Sequence, residues 1–453
     1  MDALLVNPKY SKARISNLMP PLGLAYIGYM LEKTGFSVQV LDLEIKPDNF
    51  DLYTYIGNLA PKIVGISGTS HSRFESFAIA RVAKQVSHKI FTVYGGCHAT
   101  FTAEDTLSHI RDIDYIVHGE GEVTFLELAN SLLFKKGTVD DIKGISFRKD
   151  SRIIRTAPRE RIADLDSVAY SRHLLEMEKY DLKLDFLDVP AMLVITSRGC
   201  PYNCNFCSAS AMFGATHTTR SAQNIVNEIQ YGIDKYGIKG IKFFDSTLTL
   251  NKKHILSIIK EMKKRNLCLP WECEIRVDTV DRALLRSMKE AGCYYVDFGI
   301  ESASERVLDI IGKRISIKEA IDVLKWCKEF DIKTKVFFTF GHLGETWRDA
   351  MMTIKFIDKY LNYISKPAMI RQVKIFPGTR LEKYARENGL LPRDFSWSEP
   401  FDRIKAEFMP THSVPIVMQP AFGIKELKKV YLAKERILRK LCRRDNKLPR
   451  HAQ

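Results

Sequence analysis

Three cysteines, Cys200, Cys204 and Cys207, stand at the spacing C-x3-C-x2-C inside the stretch ITSRGCPYNCNFCSA, residues 195 to 209, directly after an apolar, strand-like run. Three thiolates this close together read as a metal site. Structural zinc normally takes four protein ligands, usually as two separated pairs, whereas an iron–sulfur cluster is held by clustered thiolates. Only three ligands lie here, so one iron is left open to another donor. Gly199 and Pro201 bracket the first cysteine, and Asn203 and Asn205 interrupt the others. That composition makes a loop able to wrap a cluster rather than continue a strand. Cysteines buried merely as small hydrophobes would need no spacing rule.

The chain that must position these thiols has 453 residues, of which 45% are apolar and 27% charged. This is an ordinary globular balance with room for two or three cores. No run of about 18 apolar residues appears, and the N-terminus, MDALLVNPKY, lacks the basic region and cleavage site of a signal peptide. A cytoplasmic location is expected. The nine cysteines are scattered apart from the three that cluster, and those three need reducing conditions to keep iron. The net charge of +15 would suit nucleic acid, an acidic membrane surface or anionic substrates. Much of the excess crowds one C-terminal helix, from Lys425, Lys428 and Lys429 through Lys434, Arg436, Arg439 and Lys440 to Arg443 and Arg444. Its apolar stripe, Leu427, Val430, Tyr431, Ile437, Leu438 and Leu441, reads as a packing face and leaves open peripheral contact with a membrane. No nucleic-acid-binding motif accompanies the charge, so no nucleic-acid partner is expected.

Before the cysteines, apolar runs alternate with helix patterns: strands at 2–6, 38–43, 62–67, 90–94 and 114–117, with helices between them and after the last. The pattern predicts a doubly wound parallel sheet, with its ligand beyond the carboxyl ends of the strands. Those ends are small and polar. Ser67 and Gly68-Thr69-Ser70 follow the third strand, Gly95-Gly96-Cys97-His98 the fourth, and His118-Gly119-Glu120-Gly121-Glu122 the fifth. Such loops let a bulky ligand approach the backbone closely. After a charged stretch at 136–188, six further strand–helix units run from residue 191 to residue 376. They fit a partial (β/α)6 barrel with its site at the C-terminal face.

The cysteine motif resembles that of the radical S-adenosylmethionine (radical SAM) superfamily, whose members bind a four-iron four-sulfur (4Fe-4S) cluster and let the open iron chelate the amino and carboxylate groups of S-adenosylmethionine. The three loops before it resemble those of cobalamin-binding domains, in which a hydroxyl loop and a Gly-Gly pair line the path of the nucleotide tail. The resemblance implies an α/β protein: a Rossmann/flavodoxin-like doubly wound cobalamin-binding domain at 1–135, a linker at 136–188, a radical SAM barrel at 189–395 and a basic helical segment at 396–453. It further implies S-adenosylmethionine contacts at Phe206, Asp245, Ser246, Arg276, Glu301 and Ser302. Arg276 would fork onto the carboxylate, and Glu301 and Ser302 would meet the ribose. Cobalamin contacts are implied at Ser67, Thr69, Ser70, Gly95, Gly96, His98, Gly119, Glu120 and Gly121. The signature Asp-x-His-x-x-Gly, which supplies a histidine to cobalt in many cobalamin proteins, is absent. The resemblance is therefore to radical enzymes that hold cobalamin without such a ligand, with His71 and His98 the nearest substitutes.

The activity this implies is methylation of an unactivated carbon or phosphorus centre in a small molecule or lipid, with electrons from a reductant such as flavodoxin or ferredoxin. Oxidative cyclisation or rearrangement with the same cofactors is the second reading. Methylthiolation of RNA fits less well, since only Cys97 precedes the cluster motif and no RNA-binding barrel follows. A corrinoid carrier or sensor without catalysis has no use for the three thiols.

Overall fold

The computed structural model describes residues 1–10, 18–168, 172–366, 369–401 and 414–444. The first sheet is built from β1 (Ala3–Asn7), β2 (Val38–Asp42), β3 (Ile63–Ser67), β4 (Phe91–Gly95), β5 (Tyr115–Val117), β6 (Ile145–Lys149) and β7 (Arg152–Arg155), in the order β2-β1-β3-β4-β5-β6-β7. The first five strands run parallel. Both faces are covered, which is why the strands read as nearly continuous apolar runs. Ala3 and Leu5 point into one core with Val93 and Phe125, while Leu4 and Val6 point into a second core with Phe77 and Tyr94. Helices α1 (Leu22–Lys33), α2 (Leu52–Leu59), α3 (Arg73–Val86), α4 (Cys97–His109) and α5 (Gly121–Phe134) connect these strands.

The stretch expected as a linker contributes structure to this sheet: β6 and β7 form an antiparallel hairpin on β5. Asp150 and Ser151 at its tip both adopt left-handed backbone, φ 47° and 62°, as a two-residue hairpin turn requires. Ile145 and Phe147, on one face of β6, both enter the core, while Lys149 at the strand's end is exposed. Further on, Arg172 locks the connection to the barrel. Its guanidinium donates to Glu228 at 2.5 Å, and Arg220 takes the other carboxylate oxygen at 2.6 Å.

The second sheet uses β8 (Ala191–Val194), then the two-residue strands β9 (Ser197–Arg198) and β10 (Thr218–Thr219) as a separate hairpin, then β11 (Gly240–Phe243), β12 (Trp271–Ile275), β13 (Cys293–Glu301), β14 (Lys333–Phe340) and β15 (Met369–Gln372). Its six members are all parallel in the order β15-β14-β13-β12-β11-β8, and they curl into an open half-barrel. Helices on the outer face bury Ile241, Phe243, Val296, Phe298, Val336 and Phe338. They begin at side-chain caps the sequence supplies: Ser221, Asn251, Asp281, and capping boxes at Ser316/Glu319 and Thr346/Asp349.

The C-terminal helix Ile424–Arg444 lays Leu427, Val430, Ile437 and Leu441 on the barrel's core, and Arg436 and Lys440 both reach Asp358. The apolar stripe is thus covered by the protein. The side chains of Arg443 and Arg444, and segments 402–413 and 445–453 of the expected C-terminal part, lie outside the described residues. No helix of the described residues is long and apolar enough to cross a membrane.

Candidate active site

Between the two sheets lies a cavity of about 380 Å³. One wall is the carboxyl-end region of β3, β4 and β5 with α1 and α5, contributing Gly65, Val93, Gly95 and Phe125. The opposite wall belongs to the barrel and the cysteine loop, contributing Ser197, Arg198, Gly199, Phe213, Phe244 and Ser246. The missing side chains make the room. Gly95 sits two residues after Val93 on the same face of β4, and a Cβ added there would meet nothing nearer than Val117, at 3.7 Å. Gly96 serves another purpose. Its φ is 96°, and its Cβ would press the Gly68 carbonyl oxygen at 2.7 Å, so it packs the loop after β4 onto the loop after β3.

Of the residues expected to face cobalamin, Ser67, Gly95, Gly96, Gly119, Glu120 and Gly121 line the cavity, and Thr69, Ser70 and His98 do not. Thr69 and Ser72 hydrogen-bond each other across the turn. Ser70 meets His98 Nδ1 at 3.0 Å. His98 is fully buried beneath Trp397, with ring centroids 5.7 Å apart, and burial, helped by the nearby Arg73, pushes its imidazole down to about 3. His71 lies edge-on to Tyr10 and Phe376. His118 spends both ring nitrogens on the Thr100 carbonyl and Ser146. None of the three histidines lines the cavity.

The three motif cysteines follow β9 as free thiols. Gly199 opens the loop at φ 96°, and a Cβ there would be 2.3 Å from the Thr216 carbonyl oxygen. Glycine is required at this corner. The far side of the loop is pinned by Asn205, whose backbone N–H donates to Ile311 O at 2.9 Å and whose side chain donates to Ile310 O at 3.2 Å. Burial pushes the Cys207 thiol up, and neighbouring Cys204 and Cys200 push it further. Among the described residues, no group of three His, Cys, Asp or Glu side chains converges on a single metal ion. Three free thiols on one loop are a donor set that fits an iron–sulfur cluster.

The barrel residues expected near S-adenosylmethionine divide by what already holds them. Ser246 lines the cavity. Asp245 is buried and accepts from Thr196 N at 3.1 Å, Thr196 Oγ1 at 3.0 Å and Ser197 Oγ at 2.5 Å. Burial raises its carboxyl to about 6, and its contacts anchor the root of the cysteine loop. Arg276 forks onto Asp278 at 2.9 and 3.0 Å, donates to Lys313 O at 2.7 Å, and lies 3.5 Å from the Tyr202 ring centroid. The carboxylate it was expected to meet is therefore, within the chain, that of Asp278. Glu301, at φ 67°, accepts from Lys313 Nζ at 3.2 Å and Thr339 Oγ1 at 3.0 Å. It folds back over Gly299, where a Cβ would be 2.0 Å from its Oε1. Ser302 is fully buried against Thr353. Phe206 lies 5.6 Å from the His342 ring.

Sequence reasoning overlooked the charged belt at the cavity's waist. Arg198 donates from Nη1 to Glu120 at 2.7 Å and from Nη2 to Glu122 at 2.6 Å. Arg161 approaches Glu120 at 3.7 Å and Arg198 O at 3.3 Å. A basic residue immediately before the Gly-Cys of the motif was the available signal.

This architecture has close counterparts. The Radical SAM superfamily profile matches residues 194–357, and that of the B12 binding domain matches residues 9–129. Over 397 residues the chain is 38% identical to an uncharacterized methyltransferase, PH0819, of Pyrococcus horikoshii, covering 86% of this chain and 84% of the relative. It is 28% identical to the anaerobic magnesium-protoporphyrin IX monomethyl ester cyclase of Rubrivivax gelatinosus, over 76% of this chain and 63% of that one. Among solved structures, the radical SAM methyltransferase TsrM of Kitasatospora setae, with cobalamin and a [4Fe-4S] cluster bound, superposes with a TM-score of 0.74 at 18% identity, covering 97% of this chain and 89% of TsrM. The chain belongs to the cobalamin-binding radical SAM enzyme family. Its cofactors are a 4Fe-4S cluster, S-adenosylmethionine and cobalamin.

Proposed function

We propose that this enzyme is a methyltransferase acting on an unactivated carbon or phosphorus centre of a small molecule or lipid. The carrying observation is the single cavity that joins the loops after β3, β4 and β5 to the root of the cysteine loop. Cys200, Cys204 and Cys207 would hold the cluster, and Gly95 and Gly119 would leave the corrinoid its space. When bound, the cluster supplies the electron that cleaves S-adenosylmethionine, and cobalamin supplies a transferable methyl group.

The chain's own part is positioning and exclusion. Asp245 fixes the loop root, and Gly199 makes the turn that leads into Cys200. Phe213 and Phe244 add apolar surface to the barrel-side wall of the space between the sites. Ser246 offers a hydroxyl to S-adenosylmethionine. An external one-electron donor such as flavodoxin or ferredoxin would serve as reductant.

Similarity to the R. gelatinosus cyclase keeps ring formation as the second reading. Product analysis separates the two. A methyltransferase of this type consumes one S-adenosylmethionine to make the substrate radical and another to recharge the methyl carrier. It therefore yields 5′-deoxyadenosine and S-adenosylhomocysteine in about equal amounts, with methyl label in the product. Product formed with 5′-deoxyadenosine alone, and without label, would replace methylation by cyclisation or rearrangement.

A further inference from the structure

The belt formed by Arg198, Glu120 and Glu122 crosses the boundary between the two cofactor-bearing sheets. Glu120 and Glu122 flank Gly121 at the start of α5, on the wall assigned to cobalamin. Arg198 is the last residue of β9, with only Gly199 between it and Cys200. The arginine spans the gap with both arms, one nitrogen on each carboxylate, at 2.7 and 2.6 Å. All three side chains are nearly buried, at 13%, 8% and 6% exposure.

A bidentate fork onto two separate carboxylates fixes direction as well as distance, which a single ammonium could not do. The surroundings stiffen it further. The guanidinium lies 5.4 Å from the Tyr26 ring centroid, and Tyr26 is itself a buried residue of the cavity wall. Glu120 accepts a second hydrogen bond, from Ile162 N at 3.0 Å. Arg161 closes the belt by lying against Phe213, which follows the cysteine loop. Gly199 turns at a φ of 96°, and a Cβ there would lie 2.3 Å from the Thr216 carbonyl oxygen and 3.1 Å from Arg161 Nη1, so the one residue between Arg198 and Cys200 is itself tightly packed. Moving α5 relative to the barrel must therefore drag Arg198, and with it the first cysteine.

We infer that Arg198 is a positioning residue whose two-armed bridge to Glu120 and Glu122 sets the separation and orientation of the cobalamin site relative to the cluster site. Glu120 is then committed to Arg198 and is not a direct contact of the corrinoid. The inference rests on the cofactor assignment above.

Pulsed dipolar electron paramagnetic resonance on the anaerobically reconstituted holoenzyme tests it, with cob(II)alamin and the reduced cluster as the two spins. The wild type should give one narrow distance distribution. Arg198→Met should keep both cofactors at full stoichiometry while the distribution broadens or shifts at least twofold in width. Arg198→Lys, able to meet one carboxylate only, should fall between. Should Arg198→Met fail to fold, the double variant Glu120→Gln, Glu122→Gln reads the same bridge from the other side and should broaden the distribution equally. An unchanged distribution in the variant that folds would overturn the inference, and so would loss of cobalamin in Glu120→Gln alone, which would make Glu120 a cofactor contact. A wild type lacking either spin would overturn the cofactor assignment and, with it, the role given to Arg198, whereas an unchanged distribution with both spins present overturns that role alone.

Discussion

Arg276 Nη1 lies 4.0 Å from the sulfur of Cys204, while Asp278 grips the opposite edge of the same guanidinium. The arginine presents fixed positive charge to the buried thiol of the loop. Adding an electron to a cluster held there increases its negative charge, so a neighbouring cation stabilises the reduced state. Arg276→Met should therefore lower the midpoint potential by tens of millivolts, where about 59 mV corresponds to a tenfold change for one electron. Arg276→Lys should recover part of the difference. A redox titration of the reconstituted cluster in S-adenosylmethionine-free buffer measures this without substrate, and a rise in potential would contradict it.

What could be read beforehand was what local chemistry enforces. The C-x3-C-x2-C spacing, the alternation of strands and helices, and the glycines after β4 and β5 each follow from neighbours in sequence. Contacts closed by distant residues could not be read. Ser70 and His98 look like ligand-facing loop residues until Trp397, roughly three hundred positions later, covers them. Arg276 and Asp278 are two apart, but whether an arginine just past the end of a barrel strand turns to its neighbour or to a ligand depends on Tyr202 and Lys313. The hairpin of β6 and β7 was hidden because its exposed positions carry Arg and Lys, and the alternate positions are apolar for only two or three repeats.

Asp245 makes a pH prediction. Burial raises its carboxyl to about 6 in the fold from an ordinary 3.8, so between those values the folded state binds more protons than the unfolded one. Stability then falls as pH rises from about 4 to about 6 and levels off above, a loss of very roughly 3 kcal/mol at 1.36 kcal/mol per pKa unit. Asp245→Asn should remove that part of the slope. Anaerobic thermal melts of the two proteins across this range give the difference. A wild type that gains stability relative to the variant on going from pH 4 to pH 6 would refute the assignment.

The histidines yield a spectroscopic expectation. With His98 buried under Trp397, and His71 and His118 also outside the lining of the cavity, the cob(II)alamin form should lack the nitrogen superhyperfine splitting of a protein imidazole. His98→Ala and His71→Ala should leave that spectrum unchanged. Splitting that disappears in either variant would identify a cobalt ligand and require the loop after β3 or β4 to open.

Two adjacent glycines should behave differently on substitution, because one leaves room for a ligand and the other permits a backbone. Gly95 is an extended strand residue whose Cβ finds ordinary contact only, at 3.7 Å from Val117, so the protein itself can accept a side chain there. Gly95→Val should fold, bind about four iron per chain, and take up little cobalamin, since the branched side chain projects into the cavity beside Val93. Gly96, at φ 96° and ψ −178°, occupies a region essentially reserved for glycine, costing any other residue about 1–3 kcal/mol. Gly96→Ala adds a 2.7 Å clash with the Gly68 carbonyl. It should therefore lower the melting temperature whether or not cobalamin is present, by about 2–4 °C per kcal/mol if this chain follows domains of 150–250 residues. Iron and corrinoid stoichiometry measured beside melting curves distinguishes the two effects. If Gly95→Val binds cobalamin as fully as the wild type, the space above β4 is not the path of the nucleotide tail.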